Sequence, residues 1–182
     1  NVLITGSNGQ LGKSISALVE EKKSNTTVFT ETTKESLDIT NRNQIELFFQ
    51  SHTFNYCINC AAYTFVDKAE VEKTQAFLIN ATGVKNLAEA CKKYNIILIH
   101  ISTDFVFDGT KGSPYTEKDT PNPINVYGAS KLQGEKYIQS ILDSYFIIRT
   151  SWLYSEYGDN FVKTMLRLGA EKNELQVVSD QI

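Results

Sequence analysis

The chain has 182 residues, 41% of them hydrophobic and 21% charged, with a formal net charge of -3. That length carries one good core, or one domain and part of a second, and the composition is that of an ordinary globular protein. The charge leaves no electrostatic footprint for nucleic acid and no apolar run approaches the roughly 20 residues of a bilayer span, so neither nucleic acid nor membrane is expected as a partner, whereas a phosphate can still be held by backbone N–H groups.

Asn1-Val2-Leu3-Ile4-Thr5 reads as a strand from the first residue. It lacks the basic start and long apolar stretch of a signal peptide, and a residue or two is expected to be missing upstream. Gly6-Ser7-Asn8-Gly9-Gln10-Leu11-Gly12 follows as G-x-x-G-x-x-G, and then a helix with Leu11, Ile15, Leu18 and Val19 on one stripe. Glycines there allow a tight turn and let the backbone approach a pyrophosphate. The helix N-terminus adds unpaired N–H groups and a partial positive charge. A glycine motif alone also fits a plain turn, but the strand–turn–helix context selects dinucleotide binding. Gly6, Gly9, Gln10, Leu11 and Gly12 are therefore expected to hold a cofactor.

Thr27 to Thr30 reads as a second strand, and Glu31 lies 19 residues after Gly12. An acidic residue near that point binds the ribose hydroxyls in NAD-dependent enzymes and repels a 2′-phosphate. Glu31 thus favours NADH over NADPH, with a solvated loop charge as the plain alternative. Asn41 caps a helix carrying Ile45, Phe48 and Phe49. Tyr56 to Cys60 is a third strand. Cys57 and Cys60 form C-x-x-C, but positions i and i+3 of a strand face opposite ways, so they are read as buried thiols and not as a metal or disulfide pair. Three cysteines in this length give no disulfide framework and point to a reducing cytosol. His52 and His100 have no partners at metal-ligand spacing, so no metal site is expected.

Asp67 to Tyr94 is helical in pattern, interrupted near Ala81-Thr82-Gly83 and ended by Asn95. Ile96 to Ile101 is nearly continuous apolar, as for a strand covered on both faces. A polar loop runs from Asp108 to Asn125, a helix from Tyr127 to Ile141 and a strand from Tyr145 to Arg149. Strands alternating with helices give parallel β-α-β units with right-handed crossovers. The expected fold is α/β, a doubly wound, Rossmann-like parallel sheet. After Trp152 come a helix around Phe161 to Leu168 and an apolar piece, Leu175 to Val178, and the chain stops at Ile182 without a closing signal. Residues 1–150 are expected to be an NAD(P)-binding Rossmann domain. Residues 151–182 read as the truncated start of a substrate-binding region, with the C-terminal substrate domain largely absent.

Tyr127-Gly128-Ala129-Ser130-Lys131 is Y-x-x-x-K at a helix start. Positions i and i+4 share a face, so the Lys131 ammonium is expected beside the Tyr127 phenol, lowering its pKa. By chance alone such a pair is more often a surface lysine beside a half-buried tyrosine. Here it follows the glycine turn and also Ser102-Thr103-Asp104, at the carboxyl end of an apolar strand, where ligands bind in open α/β sheets. Thr103 can hydrogen-bond a substrate carbonyl oxygen. Thr103, Tyr127 and Lys131 are the expected catalytic residues of a hydride-transfer site.

Several blocks carry a closer resemblance: Asn59-Cys60-Ala61-Ala62-Tyr63-Thr64, Val66-Asp67-Lys68-Ala69-Glu70, Ser102 to Gly109, Tyr127 to Glu135, Arg149-Thr150-Ser151-Trp152-Leu153-Tyr154, Asn160 to Met165 and Asp180-Gln181. Together the sequence resembles the dTDP-4-dehydrorhamnose reductases, within the extended short-chain dehydrogenases/reductases. The resemblance implies that Ala61, Ala62 and Tyr63 line the cofactor and that Asp38-Ile39 borders the adenine. It implies that Thr103, Asp104, Tyr127 and Trp152 meet a nucleotide-sugar substrate, Trp152 through its flat apolar face; a core tryptophan is the plain alternative. The implied reaction is NADPH- or NADH-dependent reduction of the 4-keto group of dTDP-4-dehydro-L-rhamnose to dTDP-L-rhamnose in the cytoplasm. The family's further substrate domain, and with it a magnesium-linked homodimer contact, would lie beyond this chain.

Three rival readings share the fold. A nucleotide-sugar dehydratase needs Asp-Glu after the threonine, and here Asp104 precedes Phe105. An epimerase has no distinguishing residue in this stretch. A non-catalytic NADP-binding subunit, like the regulatory subunit of methionine adenosyltransferase, keeps similar glycine and Y-x-x-x-K blocks. Arg149-Thr150-Ser151-Trp152 favours the reductases over it.

Overall fold

Among the described residues five short segments form parallel strands: β1 (Val2–Thr5), β2 (Phe29–Thr32), β3 (Tyr56–Asn59), β4 (Ile97–Thr103) and β5 (Tyr145–Thr150). They lie in the order β2-β1-β3-β4-β5. The computed structural model describes residues 1–22 and 26–177; Val178 of the terminal apolar piece and the Asp180-Gln181 block lie outside them. The sheet is the expected doubly wound, Rossmann-like one. Its winding reverses between β1 and β3, and at such a switch point the carboxyl ends of the strands open a crevice for ligands.

The helices are α1 (Gln10–Lys22), α2 (Arg42–Ser51), α3 (Val66–Ala69), α4 (Lys73–Phe77), α5 (Val84–Tyr94), α6 (Val126–Ile141) and α7 (Phe161–Glu171). Asparagines set several of their ends. The Oδ1 atoms of Asn41, Asn125 and Asn160 accept the N–H three residues on, at 3.1, 2.7 and 3.1 Å, and so start α2, α6 and α7. Asn95, at φ 56°, ends α5 in the left-handed conformation. Among the described residues no helix is long and apolar enough to cross a membrane.

Helices α2, α5 and α6 cover one face of the sheet. Leu3, Ile45, Phe49, Cys57, Leu87, Leu98 and Ile138 are central to the core between them. The β1-to-β2 crossover runs opposite to those that follow it, so its right hand puts α1 on the other face. There Gln10 and residues 153–160 are tied together by hydrogen bonds.

Three expectations change. The second strand is Phe29–Thr32, not Thr27 to Thr30, because in-register pairing with Val2–Thr5 fixes it and leaves Val28 62% exposed. β4 is covered unequally: Leu98, His100 and Ser102 are buried, whereas Ile97, Ile99 and Ile101 alternate with them and are half-buried. The long helical pattern also breaks at Glu70–Glu72, and the interruption expected near Ala81-Thr82-Gly83 takes the form of a π-helical segment, Leu78–Gly83. The cysteines are free thiols as expected, Cys57 and Cys91 in the core and Cys60 just past β3.

Candidate active site

The β1–α1 turn fits a phosphate cradle. Gly6 has φ +69°, and a Cβ there would lie 2.6 Å from the Ala61 backbone nitrogen. A Cβ on Gly12 would lie 2.5 Å from Ser7 Cα. The turn is thus folded tightly on itself and against residues 60–62, with Ala61 and Ala62 half-buried beside it. Gly9 N–H donates to the Gly6 carbonyl at 3.0 Å. Gln10 is occupied otherwise: its Nε2 donates to the Leu153 carbonyl and its Oε1 accepts from Asn160. It fastens the cradle to the segment after β5. Leu11 is half-buried on α1.

The adenosine end is less complete. Glu31 is exposed on β2, one residue short of the strand end. Asp38 Oδ1 accepts from Thr40 N–H and Oγ1 at 2.9 and 2.7 Å, which fixes the turn after Leu37. Ile39 is buried in the main core. Its side chain supports this turn from inside.

Thr103, Tyr127 and Lys131, the residues expected to be catalytic, lie where β4 ends against α6. Asn125 starts α6 so that Tyr127 and Lys131, one turn apart, both face inward, 9% and 2% exposed. Thr103 Oγ1 donates to Asp104 Oδ1 at 3.1 Å and accepts from Phe105 N–H at 3.2 Å. The Phe105 ring packs edge-on against Tyr127, centroids 5.6 Å apart. Gly128 permits this closeness, because a Cβ there would sit 2.1 Å from the Phe105 carbonyl oxygen. Gly128→Ala is therefore expected to push the start of α6 away from β4, costing about 1–3 kcal/mol of stability and more than tenfold in turnover. Denaturation and steady-state rates of the intact protein check this, and a variant matching wild type in both would show that the contact gives way freely.

Burial raises the Tyr127 pKa above its ordinary value, a hydrogen bond with Thr103 opposes this, and Asp104 adds to it. Lys131, expected to lower this pKa, is not among the groups that act on it. Lys131 turns elsewhere: Nζ donates to the Ile101 carbonyl at 2.7 Å and lies 3.5 Å from His100 Nε2. Burial pulls its own pKa down to about 8. A phenol kept protonated is the form that gives a proton during a reduction.

Around these residues stands a buried polar frame that local sequence patterns do not announce. Asn80, on the π-helical segment, holds Tyr63 by both backbone groups (Oδ1 from N–H at 2.8 Å, Nδ2 to the carbonyl at 3.0 Å) and also donates to Ser130 Oγ at 3.0 Å. π-turns recur at functional sites, and this one links residues 61–63 to α6. The Tyr63 hydroxyl donates to Glu72 at 2.8 Å. Glu135 on α6 accepts from Ser102 and from Arg149. His100, read from sequence as an isolated residue, is fully buried against Lys131. The available signal was its place inside the apolar run Ile97–Ile101, where a polar ring needs an internal partner.

Trp152 lies just past β5, 49% exposed, with its ring 4.7 Å from that of Phe161. Its φ of 50° is left-handed. That conformation is rare and strained for a bulky residue, and strain of this kind gathers at binding sites.

A family model described as the RmlD substrate binding domain matches residues 1–182. The chain belongs to this family. Among curated relatives it is 44% identical to the dTDP-4-dehydrorhamnose reductase of Aggregatibacter actinomycetemcomitans, over 100% of this chain and 61% of that one. It is 40% identical to the enzyme of the same name from Escherichia coli (strain K12), over 100% and 60%. A crystal structure of the dTDP-4-dehydrorhamnose reductase of Bacillus anthracis str. Ames in complex with NADP superposes with TM-score 0.92 at 47% identity, covering 99% of this chain and 63% of that one. The Clostridium acetobutylicum ortholog superposes with TM-score 0.93 at 46% identity, over 99% and 63%. The chain thus spans about three fifths of the length of these relatives.

Proposed function

We propose that the intact protein reduces the 4-keto group of dTDP-4-dehydro-L-rhamnose to dTDP-L-rhamnose with NADPH or NADH. The observation that carries this is Thr103, Tyr127 and Lys131 gathered at the end of β4, in the same strand-end crevice as the Gly6–Gly12 cradle. The cradle and the α1 N-terminus hold the pyrophosphate, with Ala61, Ala62 and Tyr63 along the cofactor. Nicotinamide, when bound, supplies the hydride. Thr103 and Tyr127 hold the substrate oxygen, and one such donor at a developing oxyanion is worth about 3 kcal/mol. Tyr127 transfers its proton to that oxygen, and the resulting phenolate recovers a proton from water. Lys131 holds the nicotinamide ribose. Trp152, presented in its strained conformation, packs on the deoxysugar, and Asp104 lies beside the reacting oxygen.

Residues 1–150 form the cofactor-binding domain in this reading, and the substrate-binding region begins at 151. Three free thiols fit a cytoplasmic enzyme. The position that would need a glutamate for dehydration holds Phe105, packed on Tyr127, which favours reduction. The test is to incubate the intact protein with dTDP-4-dehydro-L-rhamnose and reduced cofactor and to separate the products. dTDP-L-rhamnose is expected; an epimerised or dehydrated ketone would assign a rival chemistry.

Cofactor choice turns on Glu31. Its carboxylate favours NADH, whereas the Bacillus anthracis relative was crystallised with NADP. Glu31→Ala is expected to raise kcat/KM for NADPH relative to NADH by about tenfold, the order of one lost charge repulsion. An unchanged ratio would remove Glu31 from the ribose site.

A further inference from the structure

The hydrogen bonds behind Lys131 have directions that the donors fix. Ala61 N–H can only donate, and it reaches Asn59 Oδ1 at 3.1 Å. Thr5 Oγ1 donates to the same oxygen at 2.7 Å. Asn59 Nδ2 has protons and no accepting lone pair, and it faces His100 Nδ1 at 3.0 Å. Nδ1 must therefore accept. A neutral imidazole that accepts at Nδ1 carries its proton on Nε2, and His100 Nε2 lies 3.5 Å from Lys131 Nζ. An ammonium has donors only, so it would meet the Nε2–H proton against proton. A neutral amine accepts that N–H and still donates to the Ile101 carbonyl, 2.7 Å away.

We propose that His100 is a positioning residue for Lys131: the chain Thr5–Asn59–His100, crossing β1, β3 and β4, holds one imidazole tautomer whose Nε2–H favours the amine form of Lys131 over the ammonium. The inference rests on the reading of Lys131 as the partner of Tyr127, but its test needs no sugar substrate. The other titratable groups around Lys131 do not supply this effect. Glu135, one turn along α6, favours the ammonium. Burial pushes the Cys60 thiol up to about 12, so it stays neutral. Tyr127, one turn back on α6, is kept protonated by burial, with Asp104 beyond it acting the same way. Burial keeps His100 itself neutral, well below the usual histidine range, and Lys131 adds to that. The consequence is a lysine whose charge, and with it its grip on a ribose, changes close to neutral pH.

Two measurements on the intact, cofactor-free protein test this. Imidazole nitrogen chemical shifts report the His100 tautomer directly. A proton on Nε2 alone is expected, and a proton on Nδ1, alone or in an imidazolium, overturns the proposal. The ε-carbon shift of Lys131, assigned by comparison with Lys131→Met, gives its titration midpoint. His100→Phe keeps a ring and removes the N–H. Added apolar bulk alone would lower the midpoint further, whereas loss of the opposing N–H is expected to raise it by about one pH unit. An unchanged or lowered midpoint overturns the proposal. If His100→Phe does not fold, the tautomer of the wild-type protein still decides.

Discussion

Tyr127→Phe lowers turnover by about 10²- to 10⁴-fold, the ordinary worth of one well-placed general acid, and leaves cofactor affinity nearly as it was. The phenol is buried between Phe105 and the end of β4, and phenylalanine keeps that shape. The ring still packs, α6 still starts at Asn125, and Lys131 keeps its contacts with Ile101 and His100. In the proposed reaction, what is removed is the proton delivered to the substrate oxygen. Steady-state rates and calorimetric cofactor titrations on the same preparation separate the two effects. An unchanged rate would exclude Tyr127 as the acid, and a parallel loss of cofactor binding would give the residue a structural role.

The second large effect concerns stability. Arg149 grips Glu135 through Nε and Nη2, at 3.1 and 2.6 Å, while Ser102 donates to the same carboxylate. The Glu135 side chain is 1% exposed, and the guanidinium also lies over the Phe107 ring, 5.0 Å from its centroid. One ion pair thus joins β4, β5, α6 and the loop that follows Thr103. Arg149→Met leaves a buried carboxylate without its cation, and such loss costs about 3–5 kcal/mol. Combining it with Glu135→Leu removes the stranded charge and should recover most of the loss, because a buried pair replaced by apolar groups is often near neutral. Chemical denaturation of the three proteins checks this. A single variant as stable as wild type would mean that water reaches Glu135 and solvates it.

The features legible in the sequence are those set locally. The glycine turn, the Y-x-x-x-K spacing, Thr103 at a strand end, the Asn41 cap and the helix end at Asn95 each depend on a few neighbouring residues, and each lies where the sequence pattern placed it. The strand–helix alternation likewise gave a parallel, doubly wound sheet. What was not legible depends on residues far apart in the chain. β2 shifted to Phe29–Thr32 because β1 chose its register. The π-helical segment follows from Asn80 reaching Tyr63 and Ser130, 17 and 50 residues away. Lys131 was expected to face Tyr127, but a backbone carbonyl and a histidine on β4 draw it inward. His100 carried no ligand-like spacing, because its partners, Asn59 and Lys131, lie on other elements 41 and 31 residues away. β4 was read as covered on both faces from its composition alone, and the half-buried row Ile97, Ile99 and Ile101 shows that an apolar run does not say how fully each face is covered.

The most direct test follows the absorbance of reduced nicotinamide when dTDP-4-dehydro-L-rhamnose is added to the intact protein, with NADPH and NADH in parallel. Rapid oxidation that needs the keto-sugar, and that Tyr127→Phe abolishes, is the predicted result. No oxidation, in a protein shown to bind the cofactor, would contradict the reductase reading and leave a site that holds a dinucleotide without acting on this sugar.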